Sequence, residues 1–128
     1  MNTLATSVRD EPSDLVTLPR FQTKSGQQTV DLKDILYLSG KGNYTVFHLR
    51  QEVQILTSLS LGVYASLLEP QGFIRLHKSY LFNEHYLNQC QFQRYNELTL
   101  STGIKIKVSR RRRTSLKKAV SLIEEAVA

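Results

Sequence analysis

The chain has 128 residues and no tryptophan, one methionine, three prolines and a single cysteine, Cys90. One cysteine cannot close an internal disulfide or build a zinc cluster from several thiolates, and it fits a reducing, cytoplasmic setting. No stretch approaches the roughly 18 apolar residues that cross a bilayer, so no membrane partner is expected. The first residues, MNTLATSVRDEPSDLVTLPR, lack a basic segment followed by an apolar core and do not read as a secretory signal. His48, His77 and His85 have no metal-ligand spacing, and Cys90 has no identifiable base beside it. No nucleophile, base and orienting group can be named together, so no catalysis, cofactor, metal or small-molecule substrate is expected.

Acidic residues are scarce in one half only. Residues 1–72 hold six Lys/Arg against seven Asp/Glu, a net of −1, whereas residues 73–128 hold eleven against four, a net of +7. Such asymmetry points to a polyanion. With 41% hydrophobic and 22% charged residues, the chain has the composition of one soluble domain of ordinary core size.

Residues 1–19 are polar, contain two prolines and show no periodicity, which reads as a flexible tail ahead of a domain over 20–128. Strand texture follows. Arg20–Lys24 and Gln28–Leu32 suggest a hairpin about Ser25-Gly26, and Ile35–Leu38, Tyr44–Leu49 and Val53–Leu59 suggest three further strands. Leu61, Tyr64, Leu67 and Leu68 recur at helical spacing, with Ser60 placed to cap and Pro70 and Gly72 to terminate. Gln89–Arg94, Glu97–Ser101 and Ile104–Val108 read as strands. The chain closes in a helix with Leu116, Ala119, Val120, Ile123 and Val127 on its buried stripe. The expected fold class is mostly β with minor α: an elongated set of small antiparallel sheets, one short helix and a C-terminal amphipathic helix.

Three features ask for a ligand. In FIRLHKSYLFN (73–83), Ile74, Leu76, Tyr80 and Phe82 share one parity with Lys78 among them. A lysine facing a core costs several kcal/mol, so the expectation is two strands with a tight turn at Lys78-Ser79 that offers the ammonium outward. In VSRRRRTSLKK, Ser109 is the expected N-cap and Arg110 to Arg113 the first helical turn. Cations there oppose the helix dipole at about 0.3–1 kcal/mol each, and Glu124 and Glu125 are wrong-signed at the far end. An external anion such as phosphate supplies the missing counter-charge. In GKGNY (40–44), the glycines allow close approach to another backbone, Asn43 suits a base edge and Tyr44 a phosphate. Taken alone, that stretch is equally an ordinary hairpin turn.

These residues carry a resemblance. Ile35-Leu36-Tyr37-Leu38 leading to Gly42-Asn43-Tyr44, then the 73–83 segment, then Ile106-Lys107-Val108-Ser109-Arg110-Arg111 resemble, in order and spacing, the LytTR family of bacterial DNA-binding domains. The match runs over roughly residues 20–125. The resemblance implies binding of double-stranded promoter DNA, often at imperfect direct repeats, by loops inserted in successive major grooves with bending of the duplex. Carried over by position, Asn43, Lys78 and Arg110 are the base-contacting residues. Lys41, Tyr44, His77, Arg111, Arg112 and Arg113 contact the backbone or support it, with His77 a structural member of its turn. The sequence departs from the family at Ser39-Gly40, where an acidic residue is usual, at Lys78, where arginine is frequent, and at Glu84, where an apolar residue is usual.

The family commonly joins this domain to a receiver of about 120 residues, and the residues before Arg20 are too few for one. The expectation is a stand-alone transcription regulator, or a fragment of a longer one, controlled by abundance, by a partner protein or by dimerisation, a homodimer on DNA being one arrangement. The competing readings are a protein-interaction module, whose basic C-terminal face would bind an acidic partner, and RNA binding. The lack of an aromatic platform counts against RNA, while six tyrosines keep it open.

Overall fold

The structure is a computed structural model that describes residues 15–18 and 28–127. Two strands open it, β1 (Leu15–Leu18) and β2 (Gln28–Asp31), paired antiparallel with Val16 opposite Val30. The partner of β2 is therefore β1, within the segment read as a tail. The expected strand Arg20–Lys24 and its Ser25-Gly26 turn lie outside the described residues.

The centre is a five-stranded antiparallel sheet built from β3 (Ile35–Lys41), β4 (Tyr44–Leu49), β5 (Gln54–Thr57), β6 (Phe73–His77) and β7 (Tyr80–Asn83). Their order is β5-β4-β3-β7-β6. The strand break expected at Lys78-Ser79 is present: β6 and β7 form a hairpin with Ile74 opposite Phe82 and His77 opposite Tyr80. Helix α1 (Leu61–Leu68) connects β5 to β6. A second, three-stranded sheet follows, β8 (Gln91–Gln93), β9 (Glu97–Thr99) and β10 (Lys105–Lys107), with β9 in the middle. Helix α2 (Arg113–Val127) closes the chain. The fold class is the expected one, mostly β with minor α.

The central sheet is buried on both faces, and this sets the architecture. One core gathers Leu38, Phe47, Ile55, Phe73 and Leu81 under Leu61, Tyr64, Ala65 and Leu68 of α1. The other gathers Tyr37, Ile74, Leu76 and Phe82 against Leu98, Ile106 and Val108 and against Leu116, Ala119 and Val120 of α2. Successive strand residues point to opposite faces, so Phe73/Ile74 and Leu81/Phe82 each supply both cores. A bulge between Ile35 and Tyr37 shifts the parity of β3, which lets Ile35 and Leu38 share the first core while Tyr37 enters the second.

Several local expectations are corrected. Leu67 is half exposed at 49%, and Ala65 takes its place in the core, because α1 packs through the stripe Leu61, Tyr64, Ala65, Leu68. Ser60 holds the N-cap position without a side-chain bond, and its carbonyl accepts from Val63 N–H instead. The strand expected from Gln89 starts at Gln91, because Glu84–Gln89 forms a 3-10 helix whose Leu87 is buried. Asn83 caps that helix by accepting from His85 N–H. The arginines do not form the first turn of an α-helix. Arg110–Arg112 is a 3-10 turn behind Ser109, whose side chain makes no capping bond, and the α-helix begins at Arg113. Side chains from Glu124 onward, Val127 included, lie outside the described residues.

Candidate nucleic-acid interface

Two hairpin tips and the arginine turn meet at one end of the central sheet. The β3–β4 hairpin closes in two residues, Gly42 and Asn43, with Lys41 opposite Tyr44. Gly42 has φ +62°, the left-handed conformation that a glycine-first hairpin turn requires. Lys41, Asn43 and Tyr44 are all exposed, Tyr44 to 57%. The β6–β7 tip is Lys78-Ser79, with Lys78 exposed. Ser39 pairs with Tyr80, and Gly40 N–H donates to Ser79 O at 2.9 Å, so the two tips project from neighbouring strands on the same side. With paired strands about 4.8 Å apart, the tips sit roughly two spacings, ~10 Å, from each other. On the outer edge, Ser109 N–H donates to Leu76 O at 2.8 Å, which docks the Arg110–Arg112 turn beside the end of β6. Asn43, Lys78 and Arg110 thus form a row across the sheet end.

The remaining expected residues divide by exposure. Arg110 and Arg111 are exposed, whereas Arg112 and Arg113 are partly covered and Arg113 Nε is enclosed without a hydrogen-bond partner. His77 is partly buried. Its Nδ1 accepts from Ser79 N–H at 3.1 Å, which fixes the tautomer with the proton on Nε2, and its ring leans on Tyr80. Ser39, at a departure from the family pattern, bonds His48 Nε2 at 2.7 Å, and that imidazole stacks on Tyr37 at 4.1 Å. Gly40, in the same departure, has no room for a side chain: a Cβ there would lie 2.7 Å from Leu61 Cβ.

Sequence reasoning overlooked three cations at this end. Arg75 reaches along its own strand, Nε donating to His77 O at 2.9 Å and Nη2 to Lys78 O at 2.8 Å. Lys105 and Lys107, both exposed on β10, line an open depression of about 390 Å³ with His77, Ser79, Tyr80 and Glu97. The alternation Lys105-Ile106-Lys107, with only Ile106 buried, was the available signal. Among the described residues the one ion pair is Arg50–Asp34 at 3.5 Å, half exposed on both sides. Among the described residues the cations of the sheet end form no ion pair, and with Glu97 opposite Lys107 as the carboxylate beside them the end keeps an excess of positive charge.

Among the described residues no three His, Cys, Asp or Glu side chains gather as a metal site. Burial pushes the Cys90 thiol up to about 11, which keeps it protonated at neutral pH. No helix of the described residues is long and apolar enough to cross a membrane.

The family model for the LytTr DNA-binding domain matches residues 26–121. A search of curated proteins returns no match. A solved structure described as the LytTr DNA-binding domain of a methyl-accepting/DNA response regulator from Bacillus cereus is similar, with a TM-score of 0.65. It is 22% identical, and the alignment covers 84% of this chain and 96% of that one, a likeness of fold. With the family match spanning most of the sequence and all three motif segments inside it, the chain belongs to the LytTR family of DNA-binding domains.

Proposed function

We propose that this DNA-binding domain recognises specific sequences in double-stranded promoter DNA and acts as a bacterial transcription regulator. Asn43, Lys78 and Arg110 enter the major groove and contact bases, with Arg110 and Lys78 suited to guanine O6/N7 and Asn43 to adenine. Lys41, Tyr44, Arg111, Arg112 and Arg113 hold the phosphate backbone, joined by Lys105 and Lys107, and His77 supports the Lys78 turn. The observation that carries the reading is the row itself: two hairpin tips and one arginine turn, tied by the Gly40–Ser79 and Ser109–Leu76 bonds, whose cations form no ion pair among the described residues. The unit that carries it includes β1, since β1 pairs with β2 and Val30 of β2 enters the first core. Two copies side by side would read an imperfect direct repeat.

Selection of bound sequences from a random duplex pool, followed by gel shifts at two salt concentrations, tests the proposal. An enriched motif is expected, and on it Lys78→Ala and Arg110→Ala should each cost about 1–3 kcal/mol. Equal losses on selected and random duplex would reassign those residues to phosphate. Failure to enrich any motif would end the sequence-specific reading, and a repeat spaced by about one helical turn would support tandem copies.

A further inference from the structure

We propose that Arg75 is the positioning residue of the Lys78 turn, its guanidinium bracing the two carbonyls that flank the tip so that Lys78 meets DNA in one fixed pose. The proposal rests on the base-reading role of Lys78 given above.

Arg75 sits mid-strand with Phe73 and Ile74 buried just before it and Leu76 buried just after. A cation there is costly unless its donors are used. It forms no ion pair among the described residues. Its donors go to backbone instead, to His77 O and Lys78 O, so one planar fork spans the residue before the tip and the tip itself. A two-residue hairpin leaves the carbonyl inside its turn, Lys78 O here, to water, and a lysine, with its single ammonium on a flexible stem, lacks the planar fork that holds both carbonyls. The bulge between Arg75 and His77 twists the strand end next to this bridge.

The other backbone groups of the turn are tied as well. Ser79 N–H goes to His77 Nδ1 and Ser79 O to Gly40 N–H. The Lys78 backbone is thus held from three sides while its side chain stays exposed, the arrangement of a pre-organised reader. Arg112 stands close enough to act on Arg75: burial first, and then the Arg112 guanidinium, pull the Arg75 guanidinium below its usual value, against Glu69. A direct phosphate contact by Arg75 is the competing role, and it behaves differently under substitution.

Two measurements on wild type, Arg75→Met, Arg75→Lys, Lys78→Ala and the Arg75→Met/Lys78→Ala double variant decide it. In DNA-free protein, amide hydrogen exchange at Ser79 and Gly40 should quicken about tenfold in Arg75→Met and Arg75→Lys, with the β4–β5 amides unchanged. On the selected duplex, Arg75→Met should weaken binding about tenfold. The salt slope should stay unchanged, preference should relax at the same base pair as in Lys78→Ala, and the double variant should be no weaker than Lys78→Ala. Unchanged exchange at Ser79 and Gly40 overturns the proposal. Equal weakening on selected and random duplex, with a shallower salt slope that Arg75→Lys restores, also overturns it and makes Arg75 a phosphate contact. If Arg75→Met does not fold, Arg75→Lys carries both measurements. If wild type enriches no motif, the role of Lys78 falls, while the exchange data still decide the brace.

Discussion

The Asn83 amide ties together three backbone groups from two separate segments. Its Nδ2 donates to Leu32 O at 3.2 Å and Ile35 O at 2.8 Å, and its Oδ1 accepts from His85 N–H at 3.0 Å. Removing it breaks three bonds at a buried site, so Asn83→Ala should lose about 2–3 kcal/mol of stability, read as a lower urea midpoint. An unchanged midpoint would contradict the role. His48 offers a pH-dependent counterpart. Burial holds its imidazole below the ordinary 6.5, so the folded state keeps it neutral where the unfolded chain is already protonated. Its contribution is therefore complete above about pH 6.5, declines as pH drops below that value, and stops changing below the depressed folded-state value. Urea unfolding across that window should show a shallower pH slope in His48→Gln than in wild type, and identical slopes would refute the assignment. Neither role was legible from sequence, because Asn83 and His48 act on segments distant in the chain.

Gly40 shows how two elements are fixed to each other. A side chain at this position would collide with Leu61 Cβ at the start of α1, while the Gly40 amide holds Ser79 O in the neighbouring tip. Gly40→Ala should thus cost about 1–3 kcal/mol by overpacking and also displace the reading turn. The expected outcome is a lower melting temperature with weaker DNA binding, and a Gly40→Ala/Leu61→Gly double variant, which lacks the colliding Cβ, should recover part of both relative to the sum of the single variants. No recovery would place the effect elsewhere. Elements with a clean period were readable: Tyr44–Leu49, Leu61–Leu68 and the β6–β7 hairpin stand close to where patterning puts them. The 3-10 helix Glu84–Gln89 was not, since six residues anchored by Leu87 and by the Tyr86 hydroxyl on Lys33 O leave no periodic trace. The arginine turn was misread for a related reason. It is a 3-10 turn closed by Arg112 N–H on Ser109 O, placed where Ser109 docks on β6, and local patterning does not separate it from a first α-helical turn.

At the scale of the molecule, the basic half of the chain becomes a basic end. Strand pairing and the Ser109–Leu76 bond bring Lys41, Lys78, Lys105, Lys107 and the Arg110–Arg112 turn toward one rim, although they are spread over 72 residues of sequence. Binding should weaken steeply with salt, and each phosphate contact removed should flatten the log–log slope by about 0.9. Lys105→Gln, Lys107→Gln and Arg111→Gln should each do so by a similar amount on selected and random duplex, in anisotropy titrations at several salt concentrations. A slope that does not move would take those residues off the phosphate track.

The sequence by itself determined the class of the fold, the break at Lys78-Ser79 and the kind of partner. Those depend on local quantities: the parity of apolar residues, the cost of burying an ammonium, and the count of uncompensated charge. Only the tertiary structure decided that the central sheet is buried on both faces, that Gly40 must be glycine, that Arg75 turns its charge onto two carbonyls, and that the three motif segments stand in one row. Each of these follows from contacts whose partners are set by strand order and register, which local patterning leaves unspecified.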